Sequence, residues 1–186
     1  IGYDHRFGRN RTANIDDLIV YGKQYDFEVE QISAQEINDN AVSSTKIRNA
    51  ILEGNISLAN KYLGYNYTFS GEVVKGKQLG RTIGFPTANI HIKESYKLIP
   101  KNGVYIVSSK IKDVLHFGMM NIGNNPTLGD NEQSIEIHFF DLKEDIYNEN
   151  LQIAFLENIR EEHKFNSITE LQTQLEKDKV FSLDFI

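Results

Sequence analysis

The sequence predicts two regions: a mainly β domain over 65–186, built as a six-stranded antiparallel barrel with a C-terminal helix, and an α/β segment over 1–64. Three observations predict this. Hydrophobic periodicity changes near Gly64, from helical stretches bounded by capping residues to strict alternation. Roughly six alternating runs follow, separated by Gly, Asn, Asp and Pro with no helices between them, the pattern of a small closed sheet. Finally, Ser167-Ile168-Thr169-Glu170 has the spacing of a capping box and opens a stretch with Ile168, Leu171 and Leu175 on one stripe.

Each element has a local reason. Asn14 caps a helix with Asp16 and Asp17 in its first turn, where carboxylates favour the positive end of the helix dipole, and Ile19-Val20-Tyr21 end it. Phe27, Val29 and Ile32 read as a short strand. Ser43-Ser44-Thr45 opens a helix through Leu52, stopped by Gly54-Asn55, and a second helix runs from about Ser57 to Leu63, stopped by Gly64. Tyr67, Phe69, Gly71 and Val73 then alternate with Thr68, Ser70, Glu72 and Val74. Further strands are expected at 86–92, 103–109, 114–122, 134–141 and 151–156. Pro86 lacks an N–H and fixes its own φ, so it marks a strand start or edge. Beyond it Ala88, Ile90 and Ile92 take one face, and Thr87 and Asn89 the other.

Composition narrows the function classes. The chain has 186 residues and no cysteine, which excludes disulfides and thiolate metal sites. No apolar run approaches the ~20 residues that span a bilayer, so no membrane partner is expected. A net charge of −6 argues against general nucleic-acid binding, which needs a positive surface. A cytoplasmic location is the natural expectation. The chain opens with Ile1 rather than Met, as a piece of a longer protein would, and Ile-Gly-Tyr-Asp-His is no signal peptide.

Several constellations carry possible chemistry. The loop Gly71–Gly84 spaces Gly76, Gly80 and Gly84 around Lys75, Lys77 and Arg81. Glycines let backbone amides approach an anion, although a solvated hairpin loop has the same composition. Thr87 and Asn89 offer two hard oxygens on one face, enough for magnesium when phosphates and water complete its shell. Hydrogen bonding at a strand edge is the alternative. Glu136 shares a strand face with His138, opposite Ile135, Ile137 and Phe139. A carboxylate held rigidly at a pocket suits a general base, and equally an ordinary solvent face. His138 reads as structural. Asn121-Ile122-Gly123-Asn124-Asn125-Pro126-Thr127 is turn chemistry between two strands, a second lid or a plain connection. Arg160 suits an anionic or planar group, or an ion pair with Glu161 or Glu162. Ser43, Ser44, Thr45, Lys46 and Arg48 make either an anion site or a simple N-cap.

Their order is more specific than any one of them. G-E-V-V-K-G, R-T-I-G-F-P-T-A-N, N-G-V-Y, N-I-G-N-N-P-T, E-I-H-F-F-D, Y-N-E-N-L and I-R-E-E-H-K-F resemble the riboflavin kinase module over about residues 66–180. G-Y-D-H-R-F-G-R-N-R and S-S-T-K-I-R resemble the latter part of the FMN adenylyltransferase module, a Rossmann-like nucleotidyltransferase. The two modules occur together in the bacterial bifunctional FAD synthetase family. The resemblance implies ATP and riboflavin as substrates, FMN as product and Mg2+ as cofactor. It implies that Thr87 and Asn89 hold the metal and the nucleotide phosphates, and that Gly76 and Arg81 belong to the ATP-covering loop. It implies Glu136 as the base, Ile153 and Arg160 with the final helix on the flavin side, and Ser43, Ser44, Thr45 and Arg48 as the remnant of the adenylyltransferase nucleotide motif. Residues 1–60 lack that module's opening histidine motif, and R-N-R-T-A-N lacks a glycine usual there, so FAD formation is expected only of an intact parent chain. A non-catalytic flavin- or nucleotide-binding barrel is the alternative.

Overall fold

The computed structural model describes residues 5–31, 36–37, 40–76, 79–124 and 133–186. By packing, the chain divides into two compact units, Ile1–Ser43 and Ser44–Ile186.

In the first unit Phe7 and Ala13 exchange backbone hydrogen bonds of 3.0 and 3.1 Å around a short 3-10 turn at Arg9–Arg11. Helix α1 (Ile15–Tyr25) opens on a reciprocal cap. The Asn14 side chain accepts from the N–H groups of Asp16 and Asp17, and the Asn14 N–H donates to the Asp17 carboxylate at 2.9 Å. The helix outlasts the expected end at Tyr21 and stops at Asp26, a left-handed cap with φ of 58°. The strand expected from Phe27 is absent from residues 27–31, and Ile32 lies outside the described residues. The Phe27 N–H instead donates to the Gly22 carbonyl at 3.0 Å, so its backbone closes the helix. Two short strands, β1 (Glu36–Ile37) and β2 (Asn40–Ala41), pair antiparallel.

The second unit begins with helices α2 (Ser44–Leu52) and α3 (Ile56–Leu63), the latter ended by Gly64 with φ of 76°. Six strands follow: β3 (Thr68–Val74), β4 (Ala88–His91), β5 (Gly103–Ile111), β6 (Val114–Asn124), β7 (Gln133–Phe139) and β8 (Asn150–Glu161). They close in the order β3-β4-β7-β6-β5-β8, with every pairing antiparallel. Inward-facing Phe69, Val73, Tyr105, Met120, Ile137 and Phe155 fill the cylinder with one continuous core. Side chains occupy the interior of a barrel this small, so a ligand must be met on its outer surface.

The packing division precedes the sequence division at 64/65. Ala50, Ile51 and Ala59 of the two helices bury against Tyr67 and Leu98, and Ile56 joins the barrel core itself. The texture change at Gly64 marks where helix gives way to strand; these apolar contacts decide where a compact unit begins.

Several elements depart from expectation. Strand β6 carries Gly123 and Asn124 in its ladder, where turn chemistry was expected, because they pair with Ser134 and Gln133 of β7. A single-turn helix, α4 (Leu79–Thr82), interrupts the glycine loop. Strand β8 runs past Leu156 to Glu161, with register irregularities opposite Val104/Tyr105 and Ile106/Val107. The long C-terminal helix α5 (Ile168–Phe185) has Ser167 accepting from the Glu170 N–H at 3.1 Å. In return the Asn166 N–H, one residue before the expected partner, donates to the Glu170 carboxylate at 2.9 Å. No helix among the described residues is long and apolar enough to cross a membrane.

Gly118 shows how tightly the barrel closes. A Cβ there would lie 2.4 Å from the His138 carbonyl oxygen and 3.0 Å from the Phe139 Cα, both backbone atoms of the neighbouring strand. Gly118→Ala is expected to destabilise the fold by about 1–3 kcal/mol, read as a lowered urea midpoint with unchanged slope.

Candidate functional site

The outer face of the barrel carries a polar row set by strand register. Asn89 on β4 lies opposite Glu136 on β7, and Glu136 lies opposite Asn121 on β6. Opposed residues in an antiparallel pair share a face. The row continues through Val104 on β5 to Arg160 on β8. Between this face, the α4 loop and α5 lies a cavity of about 1000 Å³. Thr87, Asn121, Glu136 and Arg160 contribute to its polar lining, along with Glu162, His163 and Lys164, and Phe85, Met119, Phe165, Leu171 and Leu175 supply much of its apolar lining. Phe85, Val104 and Met119 form a small cluster with Leu175 that seats the helix on the barrel.

At one end the Thr87 hydroxyl donates to Glu136 Oε2 at 2.9 Å. The bond orients the carboxylate and leaves the threonine oxygen lone pairs unspent. Asn89 sits beside this pair, beneath the glycine loop: a Cβ on Gly76 would lie 2.0 Å from the Asn89 amide nitrogen. Gly76 is required there by crowding. Gly84 is required by conformation, with φ of 85° at the turn after α4. That turn returns the Phe85 N–H to the Gly80 carbonyl at 2.8 Å.

His138 anchors the loop from below. Its Nδ1 lies 2.8 Å from the Pro86 carbonyl, which only accepts, so Nδ1 carries the proton. Its ring meets Phe85 edge-on at 5.2 Å and Phe140 at 6.0 Å. Burial pushes the imidazole below its ordinary value of 6.5; the Pro86 carbonyl and Glu176 oppose the shift and Lys179 adds to it.

At the other end Arg160 bonds Asp178 of α5, with Nε 3.1 and 3.0 Å from the two carboxylate oxygens and Nη2 2.8 Å from one of them. The expected partners were Glu161 or Glu162; only the Glu161 main-chain carbonyl is engaged, by Nη1 at 3.0 Å. The guanidinium lies 5.7 Å from the Phe165 ring centroid.

The structure thus brings Thr87 and Glu136 together at one end of the cavity and places Arg160 across it. Asn89 is the register partner of Glu136 and abuts Gly76, but neither Asn89 nor Gly76 lines the cavity. Arg81 lies exposed in α4 and is not among the lining residues. Ile153 is fully buried in the barrel core and does not line the cavity. Ser43 ends the first unit, while Ser44, Thr45 and Arg48 stand exposed on α2. Lys77 and the turn residues from Asn125 to Thr127 lie outside the described residues. Sequence reasoning read Asn121 as part of a turn or lid, whereas it stands on β6 opposite Glu136 and lines the cavity, a face shared with Met119 that alternation made available. The same reasoning missed Asp178, which no local pattern marks.

A model described as riboflavin kinase matches residues 63–186. The chain belongs to the riboflavin kinase family. A model described as FAD synthetase matches residues 1–46, which takes in Ser43, Ser44 and Thr45 and stops short of Arg48. The bifunctional riboflavin kinase/FMN adenylyltransferase of Listeria monocytogenes is 43% identical over 179 residues, 96% of this chain and 56% of the relative. The Escherichia coli K12 protein of the same description is 35% identical over 191 residues, 100% of this chain and 59% of the relative. A crystal structure from Streptococcus pneumoniae, described as a macrolide-efflux protein, superposes with a TM-score of 0.87 at 36% identity, covering 97% of this chain and 58% of that one. The chain therefore spans a little over half the length of these relatives. This riboflavin kinase family member superposes on the Streptococcus pneumoniae chain over nearly its whole length.

The His138 environment has a pH consequence. The unfolded imidazole takes up a proton as pH falls through about 6.5, whereas the folded one resists until lower pH, so the contribution of His138 to stability is complete above that value and is lost progressively below it. His138→Gln is expected to flatten the fall in unfolding free energy between about pH 6.5 and 5, measured by urea titration at a series of pH values.

Proposed function

We propose that this chain is a riboflavin kinase, transferring the γ-phosphoryl group of ATP to the ribityl 5′-hydroxyl of riboflavin to give FMN and ADP. One observation carries the reading: the Thr87–Glu136 hydrogen bond of 2.9 Å at the rim of a large cavity, beside the glycine loop. The hydroxyl oxygen attacks the γ-phosphorus as the bond to the β,γ-bridging oxygen breaks, and Glu136 takes the hydroxyl proton. Phosphoryl transfer asks the protein mainly for positioning and charge neutralisation. Thr87 orients the carboxylate, and Gly76 and Asn89 lie on the nucleotide side of it. Arg160, Phe165 and the apolar face of α5 accept the flat flavin.

The donor set at this end fits a hard divalent cation such as magnesium. The Thr87 hydroxyl donates a hydrogen bond to Glu136 and keeps its lone pairs, and Asn89 brings an amide oxygen opposite Glu136. Among the described residues no cluster of three or more His, Asp or Glu gathers for a metal, so phosphates and water would complete the shell. When bound, the ion neutralises phosphate charge. We assign it to Thr87 and Asn89.

The test is FMN formation from riboflavin, ATP and magnesium; binding of both substrates without conversion would make the barrel a binding module. Glu136→Gln is expected to keep riboflavin affinity and lower kcat by about 10²–10⁴-fold, and unchanged turnover would reject the base. Gly76→Ala pushes the Asn89 amide aside, so KM for ATP should rise by about ten- to hundredfold, the binding equivalent of the ~1–3 kcal/mol that overpacking costs, with riboflavin affinity unchanged.

A further inference from the structure

Asp178 lies near the middle of α5 and is 2% exposed. A carboxylate so buried is tolerated only when paired and hydrogen-bonded. Its partners are three contacts from Arg160 and the Gln174 Nε2, which donates at 2.8 Å. Gln174 sits one turn earlier on the same helix, so it holds the carboxylate toward β8. The Arg160 side chain is itself only 21% exposed. Its Nε and Nη2 are committed to Asp178 and its Nη1 to the Glu161 carbonyl. Three fixed points define the plane of a guanidinium. That plane stands over Phe165, and both residues line the cavity.

We infer that Asp178 is a positioning residue: from α5 it locks the Arg160 guanidinium in the orientation that, with Phe165, receives the planar end of the substrate. The inference rests on the riboflavin kinase reading. Arg160 and Glu136 are separated by two intervening strands, β5 and β6, which at the usual strand spacing puts their backbones roughly 10–15 Å apart. The pair therefore acts on the ring end of riboflavin, remote from the reacting hydroxyl. An interaction of that kind contributes alike to ground state and transition state, and its loss appears in KM.

The test is Asp178→Asn, which keeps shape and removes charge. It is expected to raise the riboflavin KM about tenfold, the size of one charge-assisted hydrogen bond, with kcat within about threefold and the ATP KM unchanged. The Arg160 Nε–H resonance, identified by its absence in Arg160→Lys, should be sharp in the parent chain and move or broaden in Asp178→Asn. Arg160→Lys combined with Asp178→Asn should be no worse than Arg160→Lys alone. If Asp178→Asn folds poorly, Gln174→Met removes one donor while leaving the ion pair, and should raise the riboflavin KM by about two- to threefold. A parental riboflavin KM with an unmoved Arg160 signal would overturn the role, as would a fall in kcat at constant KM. If the parent chain forms no FMN, the proposed function fails while the Arg160 resonance still decides whether Asp178 positions the guanidinium.

Discussion

Strand β7 is paired along both edges, and in both pairings Glu136 faces an asparagine, Asn89 on β4 and Asn121 on β6. The register that does this is held by Ile135, Ile137 and Phe139 on the opposite face, all buried in the core. Side chains alternate along a strand, so a slip of one residue would expose these three and drive Glu136 inward. Burial of such a side chain stabilises by about 1.5–3 kcal/mol, so a slip would cost several times that, before the penalty of an interred carboxylate. Hydrophobic packing inside the barrel thereby determines the geometry of the polar site outside it.

The filled interior also explains why the cavity needs a separate roof. A cylinder packed by Phe69, Tyr105 and Phe155 offers no room for a ligand. Loop 79–87 and α5 supply the missing walls, and each is tied to the barrel by polar anchors among apolar contacts. For the loop the anchors are His138 on the Pro86 carbonyl and Thr87 on Glu136; for the helix the anchor is Arg160 on Asp178. A buried ion pair contributes little net stability in general, because desolvation offsets much of its attraction. What it contributes here is orientation: Phe85 and Leu175 would pack in several ways, whereas a bidentate guanidinium accepts one.

Legibility followed the range of the interactions. The Asn14 cap, the Gly64 stop and the strand alternation depend on neighbours within four residues, and the structure keeps all of them. The faces of Thr87, Asn89 and Glu136 were legible for the same reason. Strand β8 was expected to end where apolar alternation breaks at Leu156, but a bulge breaks the pattern without ending the ladder. The strand at Phe27 failed because the end of a helix claimed its backbone. Ile153 alternates correctly with Leu151 and Phe155, which directs it to the core and away from the cavity.

Taken alone, the amino-acid sequence determined the barrel, its helix and the side of each strand on which a residue falls, because steric alternation and capping are properties of the local chain. Tertiary structure decided which of those outward residues meet. Glu136 reaches Thr87, and Arg160 reaches Asp178, across 49 and 18 positions of sequence. Contacts at that separation depend on strand order and helix docking, and these are selected by burial of the whole core.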